Sequence, residues 1–148
     1  MRKLITLLAL LIAPALHAQS GTAVNIPTDH LIPPAELNTL LAQKPANPPL
    51  ILQIGSKMMY TQAHIPGAEY IGAGSQTTGI DALKARVASL KKSAPIILYC
   101  GCCPWGRCPN VGPAYATLAA LGFTNVKVLY IENDFGTDWA AKGYPVAH

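Results

Sequence analysis

Cysteine is missing from almost the whole chain: all four residues, Cys100, Cys102, Cys103 and Cys108, fall within nine positions. Disulfide frameworks spread their cysteines to staple distant segments, so this cluster reads as a site and not as a scaffold. Charge is equally scarce. Of eleven Lys and Arg, Arg2 and Lys3 stand at the very start, and the remaining nine face seven Asp and Glu. With no basic stripe and no block of one sign, nucleic-acid binding and electrostatic membrane docking lack their footprint. Internal repeats and low-complexity tracts are absent too. The longest apolar run, Leu4 to Ile12, is too short for a comfortable bilayer span.

That run sits between a basic start, Met1-Arg2-Lys3, and Pro14-Ala-Leu-His-Ala18, which ends on a small residue. The layout is that of a secretory signal peptide over 1–18, leaving one mature domain over 19–148. Leu16, three residues before the expected cut, is larger than usual there, and an uncleaved anchor is the alternative. An exported protein of this kind works in the periplasm if the host is a Gram-negative bacterium.

Short apolar runs alternate with helical patterns. Ser20 to Pro27 reads as a loose lead-in. Paired prolines and apolar residues at helical spacing predict a helix over 34–43. Lys44 to Pro49 is a Pro-rich turn. Leu50 to Ile54, ended by Gly55, predicts a buried strand, and His64-Ile-Pro-Gly-Ala a turn into a second one ending at Ile71. A helix is expected over 79–92, with Ile80, Leu83, Val87 and Leu90 on one face. Pro95 to Tyr99 predicts the central strand, Val111 to Leu121 a helix closed by Gly122, and Asn125 to Tyr130 a last strand. Asp138 to Gly143 predicts a short terminal helix. The alternation implies an α/β fold with an open, mostly parallel sheet, whose functional site lies at the carboxyl ends of the strands. Cys100 stands at one such end.

The segment Cys100-Gly-Cys-Cys-Pro-Trp-Gly-Arg-Cys-Pro-Asn110 has the composition of a reactive loop. The thiolate is the nucleophilic form of cysteine, and backbone amides, a helix N-terminus or a nearby cation lower its pKa. All three are expected near Cys100: the positive end of the next helix, inward amides at Gly101 and Gly106, and the guanidinium of Arg107. Trp105 is expected to line a substrate mouth or to cap the core edge.

From here the chain resembles the rhodanese family of single-domain sulfurtransferases, over about Pro33 to Val146. The resemblance rests on Pro34-Ala-Glu-Leu-Asn-Thr-Leu-Leu, His64-Ile-Pro-Gly-Ala and Ile97-Leu-Tyr-Cys100. It continues through Leu121-Gly-Phe-Thr-Asn-Val126 and Trp139-Ala-Ala-Lys-Gly-Tyr-Pro-Val146. It implies a rhodanese-like open parallel sheet flanked by helices on both faces. Its strand-end cysteine takes a sulfane sulfur from a donor such as thiosulfate or a persulfide, holds it as a persulfide, and passes it to a thiol acceptor. By position Cys100 is the implied nucleophile. Gly101, Cys102, Cys103, Trp105, Gly106 and Arg107 form the implied substrate cradle, with Arg107 recognising the donor. Neither a cofactor nor a metal is demanded.

Three departures stand out. The loop from Cys100 to the helix is longer than the family's. Gln53-Ile54-Gly55 stands where the family often has Asp-x-Arg, and three further cysteines stand where it usually has none. The related phosphatases place a His before the cysteine and an Arg six positions after it; here Tyr99 precedes Cys100 and Arg107 lies seven on, which argues against in-line phosphoryl chemistry. The extra thiols leave other readings open. Cys100 and Cys103 form a C-x-x-C suited to thiol–disulfide exchange. Cys103 and Cys108 are spaced to close a small disulfide, and Cys102, Cys103 or Cys108 to resolve a modified Cys100. The cluster as a whole is a candidate for thiophilic Cu or Zn binding. His64 is expected to orient its turn, Trp139 and Tyr144 to pack, and Met58 and Met59 to pack as well.

Overall fold

In a computed structural model, residues 26–148 are described; the leader expected over 1–18 and most of the lead-in lie outside them. In chain order the elements are β1 (Leu31–Ile32), α1 (Pro34–Ala42), β2 (Leu50–Gln53), α2 (Lys57–Gln62), β3 (Glu69–Tyr70) and α3 (Thr77–Val87). There follow β4 (Ile96–Tyr99), α4 (Val111–Ala120), β5 (Val126–Leu129) and α5 (Phe135–Asp138). The five strands form one sheet in the order β1-β5-β4-β2-β3, every pair parallel.

The central strands β2, β4 and β5 are largely apolar because both faces of the sheet are covered. Side chains alternate sides along a strand. On one face Leu52, Ile96, Leu98 and Val128 pack against Leu83 and Val87 of α3 and Ala114 and Leu118 of α4. On the other, Ile51, Ile97, Tyr99 and Leu129 meet Leu37 of α1, Phe135 of α5 and Trp139. Fully buried leucines such as Leu83 and Leu118 contribute roughly 1.5–3 kcal/mol each. The same alternation turns Cys100 toward the α3/α4 face, where it joins the core.

Most expected elements stand close to where the sequence puts them. The expected terminal helix is split instead: α5 begins at Phe135, capped by the Asp134 carboxylate accepting from Thr137 N–H, and Ala140–Lys142 is a separate 3₁₀ turn. Met58 is a correction: it is two-thirds exposed on α2, a helix with no buried residue. His64 does orient its turn. Its backbone pairs with Ala147 in both directions, and its ring stacks on Tyr60 at 3.9 Å. Trp139 is buried and Tyr144 packs edge-on against it. Among the described residues no helix is long and apolar enough to cross a membrane.

Candidate active site

β4 lies between β5 and β2, so its carboxyl end opens in the middle of the sheet's functional edge. Tyr99 is fixed there by burial, and its hydroxyl accepts from Ile65 N–H. Immediately after Cys100, Gly101 takes φ +76°, which turns the chain off the strand. A Cβ at Gly101 would meet the Phe135 side chain at 2.8 Å, so both the left-handed backbone and the contact require glycine here.

Cys100 itself is buried at 4 % exposure. Its backbone carbonyl accepts from Gln53 Nε2 at 3.2 Å, while Gln53 Oε1 accepts from Gly55 N–H at 3.3 Å. A neutral glutamine thus ties the Cys100 carbonyl to the Gly55 amide. A Cβ on Gly55 would stand 2.9 Å from Cys100 Sγ, so the absent side chain leaves room beside the sulfur. The thiol has two hydrogen-bonding neighbours: Asn110 Nδ2 donates to Cys100 Sγ at 3.3 Å, and Cys102 Sγ lies 3.0 Å away. Asn110 is buried, and its Oδ1 accepts from Ser75 N–H at 3.1 Å. All four cysteines are free thiols, with Cys102 Sγ also 3.1 Å from Cys103 Sγ.

Asn110 precedes α4 in the N-cap position, yet its amide serves Cys100 and Ser75 instead of the helix. The backbone N–H groups of Asn110 and Val111, at the start of α4, favour the thiolate of another cysteine, Cys108. Here the structure corrects the expectation for Cys100. The helix N-terminus stabilises negative charge on Cys108, while Cys100 keeps its proton. Its hydrogen bond to Cys108 and its burial push the Cys100 thiol well above the usual range. That same bond, helped by the two amides and opposed by burial, lowers Cys108 to about 6. Burial and the bond with Cys102 push Cys103 up to about 12, with Arg107 partly offsetting them.

This charge distribution gives a titration test. An unfolded thiol has a pKa of about 8.5. Between pH about 6 and that value the folded pair has released a proton that the unfolded chain keeps, so stability rises with pH. Above it Cys100 retains a proton the unfolded chain gives up, and stability falls. Iodoacetamide labelling of Cys108 is expected to titrate near pH 6, and Cys100→Ala to shift that midpoint upward by about a unit or more. A Cys108 midpoint above pH 8 in the unsubstituted protein would contradict this arrangement.

A cleft of about 530 Å³ reaches the cluster from solvent, lined among others by Gly55, Ser56, Ser75, Thr78, Cys102 and Asn110. Of the residues expected to form the substrate cradle, only Cys102 lines it, and no Lys or Arg does. Gly101 is buried beneath the loop. The Trp105 ring packs at 5.0 Å on Tyr130, and its backbone N–H donates to Glu132 O, so it caps the core edge. Gly106 and Arg107 are exposed in the 3₁₀ turn Trp105–Arg107, and Gly106 does not take the positive φ of an inward-turned amide. Asn110 is a site neighbour of Cys100 that the sequence did not single out, and Gln53 and Gly55 stood there only as a departure from the family's pattern. Among the described residues no group of three or more His, Cys, Asp or Glu is arranged to hold a metal ion.

Residues 33–131 match the family described as rhodanese-like domain. The solution structure of a rhodanese-like domain from Anabaena is similar at 24% identity and a TM-score of 0.57, over 80% of this chain and 78% of that one. A Bacillus halodurans protein gives 24% and 0.61 over 80% and 76%, and a Staphylococcus aureus rhodanese-like domain protein 17% and 0.52 over 80% and 98%. At these identities the likeness speaks for the fold. No curated protein is significantly similar to the chain.

Proposed function

Since the chain belongs to the rhodanese-like domain family, a sulfurtransferase-type module, we propose that it accepts sulfane sulfur on Cys100 and passes it to a thiol. The observation that carries this reading is the strand-end Cys100 sulfur, facing the Asn110 amide and the space left by Gly55. As Cys100 attacks the donor's outer sulfur, its proton moves to the Cys108 thiolate. The Asn110 N–H then faces the charge that develops on the persulfide. The signal-peptide layout of residues 1–18 supports export, which in a Gram-negative host would carry this chemistry to the periplasm.

A cleft without Lys or Arg offers a dianion such as thiosulfate no counter-charge, which favours a thiol persulfide as donor. With cyanide or a thiol as acceptor, glutathione persulfide is expected to support a kcat/KM at least about tenfold above that of thiosulfate. Turnover with neither donor would refute the sulfurtransferase reading, and a clear preference for thiosulfate would refute the donor class.

A further inference from the structure

A second sulfur meets Cys100 within the same turn. Gly101 takes φ +76° between Cys100 and Cys102, and the two Sγ atoms stand 3.0 Å apart. Had the strand run on, residues two apart would be separated by roughly 6.6 Å along it. Sulfurs already in contact need little movement to bond. The Asn110 amide reaches both, with Nδ2 3.3 Å from Cys100 Sγ and 3.9 Å from Cys102 Sγ. Its oxygen is anchored by Ser75 N–H, which fixes the donor beside the pair. Exposure separates the two thiols. Cys100 is 4 % exposed, whereas Cys102 is half-buried and lines the cleft. Cys103 Sγ contacts Cys102, at 3.1 Å. A persulfide formed on buried Cys100 therefore meets the Cys102 thiol before any thiol from solvent. A nucleophile held in contact outcompetes a dissolved one, because its approach costs no translational freedom.

Building on the sulfurtransferase reading, we infer that Cys102 resolves the Cys100 persulfide, so that the domain reduces sulfane sulfur to hydrogen sulfide and closes a Cys100–Cys102 disulfide. Counted in neutral species, the first step breaks the S–S bond of a persulfide donor. Cys100 Sγ takes the outer sulfur with its hydrogen, and the donor leaves as a thiol, gaining a proton as Cys100 gives one up. In the second step Cys102 Sγ attacks Cys100 Sγ. The bond from Cys100 Sγ to the outer sulfur breaks, and its electron pair leaves with that sulfur. The outer sulfur takes the Cys102 proton and departs as hydrogen sulfide. The two cysteines together lose two electrons and the sulfane sulfur gains two. A further turnover requires an external dithiol, which reduces the disulfide by exchange at Cys102, the sulfur open to the cleft.

The test uses the reduced protein and glutathione persulfide, under anaerobic conditions and with no other reductant. With donor in excess and alkylation within seconds, the unsubstituted protein and Cys102→Ser are both expected to carry added sulfur on Cys100. With one equivalent of donor and a longer incubation the two part. The unsubstituted protein is expected to release close to one hydrogen sulfide per chain, measured with monobromobimane. Its Cys100 and Cys102, and not Cys103 or Cys108, should then resist alkylation until reduced. Cys102→Ser is expected to keep its sulfur in a form that cyanide removes, and to release at least about tenfold less hydrogen sulfide. Sulfur retained on Cys100 of the unsubstituted protein, with no disulfide, would overturn the inference and leave the sulfurtransferase reading standing. So would a disulfide joining Cys100 to Cys103 or Cys108, or equal release by Cys102→Ser. No uptake and no release by either protein would overturn both. If Cys102→Ser lacks a cooperative melt, the alkylation map of the unsubstituted protein decides alone.

Discussion

Cys100→Ser is expected to lower sulfur transfer from glutathione persulfide at least roughly 10³-fold, because it removes the attacking atom and leaves the fold in place. The replacement is nearly isosteric, and a serine hydroxyl can still donate toward Cys102 Sγ and accept from Asn110 Nδ2, the two side-chain partners that flank the thiol now. A stability loss of about 1–3 kcal/mol is therefore expected, small enough to preserve a cooperative melt. Steady-state kinetics beside a thermal melt separate the two effects. Transfer within about tenfold of the unsubstituted protein would show that another of the four thiols accepts the sulfur. Cys102, the one that lines the cleft, would then be the first to examine.

Asn110→Asp is expected to have the second largest effect, a loss of transfer of roughly 10²-fold. The substitution keeps an oxygen for Ser75 N–H but turns the group facing Cys100 Sγ from a donor into a carboxylate. Asn110 is 5 % exposed, so a negative charge there opposes the charge that develops on the sulfur in a poorly solvated site. Asn110→Ala separates the electrostatic part from the positional one: it removes both bonds and adds no charge. Transfer by Asn110→Asp is expected to fall further than by Asn110→Ala, although the alanine variant loses the tie to Ser75. Equal losses in the two variants, each tracking a drop in melting temperature, would reduce Asn110 to a structural role.

The sequence and the structure agree where burial is periodic. The runs Leu50 to Gln53, Ile96 to Tyr99 and Val126 to Leu129 are mostly apolar because both faces of a parallel sheet are covered, and each becomes a strand. The spacing of Leu83 and Val87 likewise announces α3, though that helix starts at Thr77 and ends at Val87, short of the expected end at 92. Where burial gives no pattern, the sequence is silent. The two-residue β1 lies just before a Pro-Pro pair, and α2 buries none of its side chains. The start of α5 did carry a signal in Asp134, an N-cap residue three positions before Thr137.

In the site, chemistry was legible and partnership was not. A strand-end cysteine followed by a glycine-rich loop locates the reactive sulfur. Residue order alone does not say which sulfur the helix N-terminus faces, and the lengthened loop moves that role from Cys100 to Cys108. Asn110 carries no sign in the sequence of its role; in the fold its amide turns to Cys100 while Ser75 N–H anchors its oxygen. Gln53 looks like the loss of a supporting charge. In the fold it holds the Cys100 carbonyl and the Gly55 amide together through neutral bonds. Such long-range pairings depend on topology and have no local signature.

The central claim is that sulfur arrives on Cys100, and trapping it there is the most direct test. The reduced protein, treated briefly with glutathione persulfide, alkylated and digested, should show one additional sulfur on Cys100 and none on Cys102 or Cys103. Cyanide added before alkylation should remove it as thiocyanate. Added sulfur found only on Cys102 or Cys103, or on no cysteine at all in a folded protein, would contradict the claim.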